Sequence, residues 1–262
     1  MTAILKEKNN LEEKIMPRFK NMINNPYNNK IEQLEKWLDK ETNLLETENN
    51  FFKEKKSNIN LQKKYFRFDR GIITKVDFGV NIGSELSNPH FVIVLEKNDS
   101  IKNGNLLVVP LSSKSGKYHY PLANLIGDNL QKKTEEIQDK LLSSLNTLLE
   151  KSEFEPQKYK EEIRNIKSGI EQCKNLISDY SKYSNNSYAC LNQIRTIAKE
   201  RIYKPTNKFD LIGRVKCSKL LLEEIDFQIL KIYTDIEKKY ILVPQKNEII
   251  FNKPFENDED IN

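Results

Sequence analysis

Tyr159, Ile163, Ile166, Ile170, Cys173, Ile177 and Tyr180 follow one another at alternating steps of four and three residues. Only a helix of about 3.5 residues per turn gathers such spacing into one stripe, so this stretch cannot be sheet. The run before it offers Leu130, Ile137, Leu141, Leu145 and Leu148, and Ser152 to Pro156 interrupts the two. Two striped helices joined by a short break predict an antiparallel hairpin with coiled-coil-like packing over 128–182. A scaffold or dimer arm fits that pattern better than a seat of chemistry.

The segments around the hairpin have a different grammar. In "YFRFDRGIITKVDF" (65–78), Ile72, Thr74, Val76 and Phe78 fall on one face, with Ile73, Lys75 and Asp77 on the other. "FVIVLE" (91–96) and "NLLVVPL" (105–111) read as strands buried on both faces, with turn chemistry in "KNDSIKNG" between them. "YHYPLANL" (118–125) reads as another short strand, and "YACLNQIRTIA" (188–198) brings strand character back after the hairpin. Ser218 is the expected N-cap of a last helix that turns Leu220, Leu221, Ile225 and Leu230 inward. Upstream, residues 1–27 are Asn- and Lys-rich with Pro17 and Pro26 and read as loosely structured. From Asn28 to Lys56, Ile31, Leu38, Leu45 and Phe52 repeat every seven residues beside Trp37, Leu44 and Phe51, one apolar stripe on a long charged helix. The expectation is an α+β chain. A helical extension (1–60) precedes a β core (61–127 and 183–233) interrupted by the hairpin (128–182), and an acidic extension (234–262) follows.

Composition narrows the class. No apolar run approaches the roughly 20 residues that span a bilayer, and "MTAILKEKNNLEEK" lacks a basic-then-apolar signal pattern. Three cysteines, Cys173, Cys190 and Cys217, form no CxxC pair, so neither a disulfide framework nor a zinc site is expected and a reducing cytoplasm fits. The net charge of +5 is mild but uneven. Residues 61–127 carry 9 basic and 5 acidic groups, 183–219 carry 8 and 2, and 220–262 carry 5 and 10. Two basic segments separated by a neutral one can meet in space and attract a polyanion; equally, they are the solubilising surface of an ordinary protein.

Three blocks bear a family likeness. "RGIITKVDFGVNIGSE" (70–85), "LLVVPLSSK" (106–114) and "LNQIRTIAKERI" (191–202), in that order and followed by an amphipathic helix, resemble the PemK/MazF toxins of bacterial toxin–antitoxin modules. The resemblance covers about 65–127 and 186–233. It implies a small SH3-like, strongly bent antiparallel β-barrel core, to which this chain adds an amino-terminal long helix and a helical hairpin. It also implies a homodimer that cuts single-stranded RNA (mRNA) sequence-selectively and without metal or cofactor, leaving a 2′,3′-cyclic phosphate and a 5′-hydroxyl. An antitoxin protein is the implied partner. Many members carry an Arg-Pro pair where this sequence has His90 and Phe91, and a catalytic Thr where it has Ser112. Two other readings stay open: a toxin of the same fold that poisons a protein target such as DNA gyrase, and a plain RNA-binding module.

Metal-free RNA cleavage needs a base for the 2′-hydroxyl, an acid for the leaving oxygen and donors for the charged phosphate. His90 titrates in the right range for acid or base, or is merely the first residue of a strand. Arg195 offers a planar fork to a phosphate, or forms a structural ion pair. Ser112 supplies a hydroxyl donor, with Ser113 as its neighbour, or both belong to a turn. Glu85 orients His90 or holds a base edge, or is a solvated loop carboxylate. Ser84, Ser113, Lys114, His119, Gln193 and Thr196 complete the expected RNA-contacting set, and His119 doubles as a candidate second acid–base group. Phe91, Tyr118 and Tyr120 are either base-stacking platforms or core. Arg70 is expected to fix structure rather than to act in chemistry.

Overall fold

The structure is a computed structural model that describes residues 11–27, 29–122, 130–152, 156–181, 186–205, 207–235 and 249–251. The chain forms two compact units, Met1–Lys64 with Asp77–Pro89, and Tyr65–Val76 with His90–Asn262.

The described residues of the first unit are mostly helical up to Ser57, with an irregular segment over 58–64 and the long loop 78–88. A π-helical turn (Leu11–Ile15) runs into α1 (Met16–Asn24), followed by a short turn α2 (Asn29–Glu32) and the 24-residue α3 (Leu34–Ser57). Residues 11–24 are therefore helical where a loose chain is expected from the sequence, with Pro17 at the start of α1 just after the π-helical turn. The α3 stripe is also offset by one residue from expectation. Leu38, Leu45 and Phe52 are exposed, whereas Trp37, Leu44 and Phe51 are half-buried.

The second unit holds the sheet. Its strands are β1 (Ile73–Asp77), β2 (Pro89–Val94), β3 (Asn105–Ser112), β4 (His119–Pro121), β5 (Tyr188–Cys190) and β6 (Arg195–Ala198). The order is β1-β2-β3-β5-β4, and β6 also pairs with β3. All the registered pairs are antiparallel. β2 runs along one edge of β3, matching Val92 with Pro110 and Val94 with Val108. The other edge takes β6 from Asn105 to Val108 and β5 at Leu111 and Ser112. The free flank of β1 meets two later segments, through the bridges Val76–Ile202 and Ile72–Lys216. A second, two-stranded sheet joins β7 (Val215–Cys217) to β8 (Ile249–Phe251).

The main core lies on one face of this sheet. Ile73, Phe91, Ile93, Val109, Leu111, Ala189 and Leu191 pack with Leu221, Leu222 and Ile225 of α6 (Lys219–Tyr233). Each fully buried aliphatic side chain contributes about 1.5–3 kcal/mol. Ser218 caps α6, its Oγ accepting from the Leu221 amide at 3.2 Å. The inward residues are Leu221, Leu222 and Ile225, so Leu222 takes the buried place expected of Leu220. Arg70 ties α6 to the sheet, donating to the Leu95 carbonyl and pairing with Asp226 at 2.5 Å.

Two long helices, α4 (Lys132–Ser152) and α5 (Pro156–Ser181), pack on each other as the hairpin. Their close approach at Gly169 and Leu141 is centred on residue 155, as an antiparallel turn-back requires. The base of the hairpin is part of the core, since Leu130, Leu176 and Tyr180 belong to the cluster of the sheet. Tyr180 donates from its hydroxyl to Asp210 at 2.7 Å in a buried pair, and the Ile212 amide donates to the same carboxylate oxygen. No helix among the described residues is long and apolar enough to cross a membrane.

Candidate functional site

Strand register decides which side chains can meet. Residues matched across antiparallel strands project to the same face of the sheet. The β2–β3 register ends at Val92–Pro110, and beyond it His90 is held to β3 by its side chain, Nδ1 lying 3.1 Å from the Leu111 carbonyl. Ser112 is matched on its other side with Tyr188, and Tyr188 with Pro121. Ser112 and Tyr188 therefore share one rung and one face, and His90 stands beside that end of β3 through its Leu111 contact. His119 joins that face through Cys190, its ring centroid 6.4 Å from that of Tyr188. It is the face opposite Phe91, Ile93 and Leu111, which point into the main core.

Arg195 reaches the same face by an irregularity. In β5 the partner numbers sum to 300 (Leu111 with Ala189) and in β6 to 303 (Val108 with Arg195), so three residues are looped out between them. Those three form the 3-10 turn Leu191–Gln193. In an unbroken strand, Tyr188 and Arg195 would lie on opposite faces, because their separation is odd; the turn restores them to one. The continuous strand expected over 188–198 is thus two short strands with a turn between. Gln193 sits on that turn and accepts from Arg195 Nη2 at 3.0 Å, which orients the guanidinium. Thr196 matches Leu107 and projects to the other face.

Burial relaxes at the ends of these strands. On the site face, Val92, Val94, Leu106 and Val108 are fully buried, whereas His90, Ser112 and Arg195 are half-buried. His90 Nδ1 lies 3.1 Å from the Leu111 carbonyl. A carbonyl only accepts, so Nδ1 carries the proton and the basic lone pair sits on Nε2. The same logic holds at His119, whose Nδ1 donates to the Lys114 carbonyl at 2.7 Å. The Ser112 hydroxyl oxygen accepts from the Lys114 amide at 3.0 Å, which leaves its own O–H as a donor. His90 and His119 stand on strands three spacings apart, about 14 Å, too far to serve one phosphorus directly. Arg195 lies four residues along β3 from the Ser112 rung, about 13 Å.

The remaining candidates are dispersed. Ser113 and Lys114 are exposed just beyond β3. Ser84 and Glu85 belong to the other unit, on the loop between β1 and β2. Phe91 is 1% exposed and packs at 6.3 Å on Tyr180, so it is core and no stacking platform. Tyr120 packs against the same core, while Tyr118 is exposed. Tyr188 was not among the residues singled out from the sequence, because its shared rung with Ser112 is a property of pairing and leaves no local signal. Among the described residues, no three His, Cys, Asp or Glu side chains converge as metal ligands.

The PemK-like, MazF-like toxin model of type II toxin–antitoxin systems matches residues 69–163. That interval opens just before β1, includes Glu85, His90 and Ser112, and ends within α5; Arg195 and its block lie outside it. No curated protein matches the chain. Residues 69–163 are thus similar to the toxin domain of the PemK/MazF family.

Proposed function

We propose that the protein is a toxin that cuts single-stranded RNA at the end of β3, through His90 and Ser112, without metal. The observation that supports this reading is that His90, its Nδ1 on the Leu111 carbonyl and its lone pair therefore on Nε2, stands at the end of β3 beside Ser112, whose oxygen accepts from the Lys114 amide and whose O–H is a donor. His90 Nε2 takes the proton of the substrate 2′-hydroxyl, which attacks the adjacent phosphorus. The phosphorus–5′-oxygen bond breaks, the leaving 5′-oxygen takes a proton from water, His90 returns its proton to the solvent, and the products are a 2′,3′-cyclic phosphate and a 5′-hydroxyl. Ser112 donates to a non-bridging oxygen as charge builds there. Arg195, held by Gln193, neutralises backbone phosphate charge further along the same face. His119 and Tyr188 hold and stack the neighbouring nucleotide, the role their separation from His90 suits. Ser113 and Lys114 contact the RNA just beyond β3, and Ser84 and Glu85 are RNA contacts of the loop between β1 and β2. An SH3-like closure of the barrel, a homodimer and an antitoxin that covers the basic face complete the reading.

The test is cleavage of mixed single-stranded RNA by the purified protein in chelator, with mapping of the cut ends. His90→Ala is expected to lower the rate by about 10²–10⁴, and RNA with a 2′-deoxy sugar at the cut to stay whole. Undiminished cleavage by the combined His90→Ala and Arg195→Ala variant defeats the reading. Growth arrest that survives loss of His90, Ser112 and Arg195 together identifies a toxin acting by protein contact instead.

A further inference from the structure

The loop between β1 and β2 is gripped by a lysine 51 to 55 residues upstream of its contacts. Lys30, on α2, directs its ammonium at three carbonyl oxygens: Asn81 at 3.0 Å, Gly83 at 2.6 Å and Glu85 at 3.2 Å. An ammonium has three hydrogens to donate, and three acceptors from alternate residues take them. The neck of the loop is closed by other bonds. Asn81 Nδ2 donates to the carbonyls of Phe78 and Leu86, the Asn81 amide to Ser87 Oγ, and the Asn88 amide to the Gly79 carbonyl. The tip, Ile82 to Glu85, is drawn together by the Glu85 amide on the Ile82 carbonyl and by Lys30.

Two residues of α3 reach the same loop. Lys40 pairs with Asp77 at 3.0 Å, where the loop leaves β1. The Trp37 indole lies so close to Gly79 that a Cβ there would come within 2.1 Å of its Nε1. That nitrogen is buried with no hydrogen-bond partner among the described residues, a cost accepted for the close packing. Gly79 also has φ +73°, so two independent constraints fix a glycine under the tryptophan.

From this cage we infer that Lys30 is a positioning residue. The helical segment 29–57 sets the conformation of the loop tip that bears Ser84 and Glu85, and so sets how tightly that loop holds RNA. The cleavage half of this inference rests on the ribonuclease reading; the grip on the loop does not.

Hydrogen exchange on the full chain separates the two. In Lys30→Met, the amides of Glu85 and Asn88 are expected to exchange about tenfold faster or more, while those of Val94 and Leu95 keep their protection. Lys30→Arg, which retains charge and donors, is expected to restore at least part of it. In RNA cleavage, Lys30→Met is expected to raise KM about tenfold and leave kcat within about twofold. Unchanged exchange at Glu85 and Asn88 overturns the inference, and an arginine variant as loose as the methionine one overturns the charged-cage account of it. A loosened loop with unchanged KM overturns its role in RNA binding. Intact RNA with the unmodified protein defeats the ribonuclease reading instead, and exchange still decides whether Lys30 grips the loop. If Lys30→Met loses protection throughout the sheet, Lys30→Gln decides: a rise confined to the loop supports the inference and no rise overturns it.

Discussion

Lys199 and Asp99 form a salt bridge at 2.7 Å with side chains 3% and 0% exposed. The lysine also donates to the carbonyls of Phe66 and Ser100, and the Phe68 amide donates to Asp99, so both charges are fully hydrogen-bonded. Removing one partner leaves the other charged and dry. Lys199→Met is expected to cost about 3–5 kcal/mol, read from urea unfolding, while adding Asp99→Leu is expected to recover most of it. Nothing near Lys199 in the sequence announces this, since its carboxylate lies 100 residues away. His90 was legible for the opposite reason. A rare titratable residue standing at the joint of a polar loop and an apolar run is a local pattern, and it survives into three dimensions as the strand end where burial relaxes. Tyr188 was illegible because sharing a rung depends on a partner strand 76 positions earlier, around Ser112.

The hairpin is the element that the sequence describes best and the one whose attachment it hides. Four-three spacing names the helices and the break near 152–156, but it does not reveal that Tyr180 ends in the sheet's own core. Burial, and then the neighbouring Asp210 charge, hold the Tyr180 phenol well above its ordinary range, so it stays a donor to that carboxylate. Tyr180→Phe strips Asp210 of one buried partner and leaves the Ile212 amide as another. A loss of about 1–3 kcal/mol is expected in thermal or urea unfolding, with the hairpin amides exchanging sooner than those of β3. The turn at Leu191–Gln193 escaped the sequence reading for a comparable reason. No glycine or proline marks it, and "YACLNQIRTIA" alternates well enough to pass for one strand.

Across the whole molecule, the three cysteines are buried thiols, and burial pushes Cys190 and Cys217 up to about 12 from an ordinary 9.0. Between those values the unfolded chain gives up protons that the folded chain keeps. Stability contributed by these thiols is therefore full below about pH 9 and falls as pH rises toward 12. Urea midpoints measured from pH 8 upward are expected to decline, less so in a Cys190→Ala, Cys217→Ala variant, and iodoacetamide at pH 8 is expected to spare the native protein and label the denatured one. A broader consequence follows from the three looped-out residues beside β3. The strand behaves like a zipper with a fixed tooth count, so excising Leu191, Asn192 and Gln193 together would leave the teeth aligned, with Arg195 still beside Val108. Losing a single one forces either a cramped two-residue kink or a slip that swaps inner and outer side chains from Arg195 to Ala198, and length changes at this spot should survive only as complete removal.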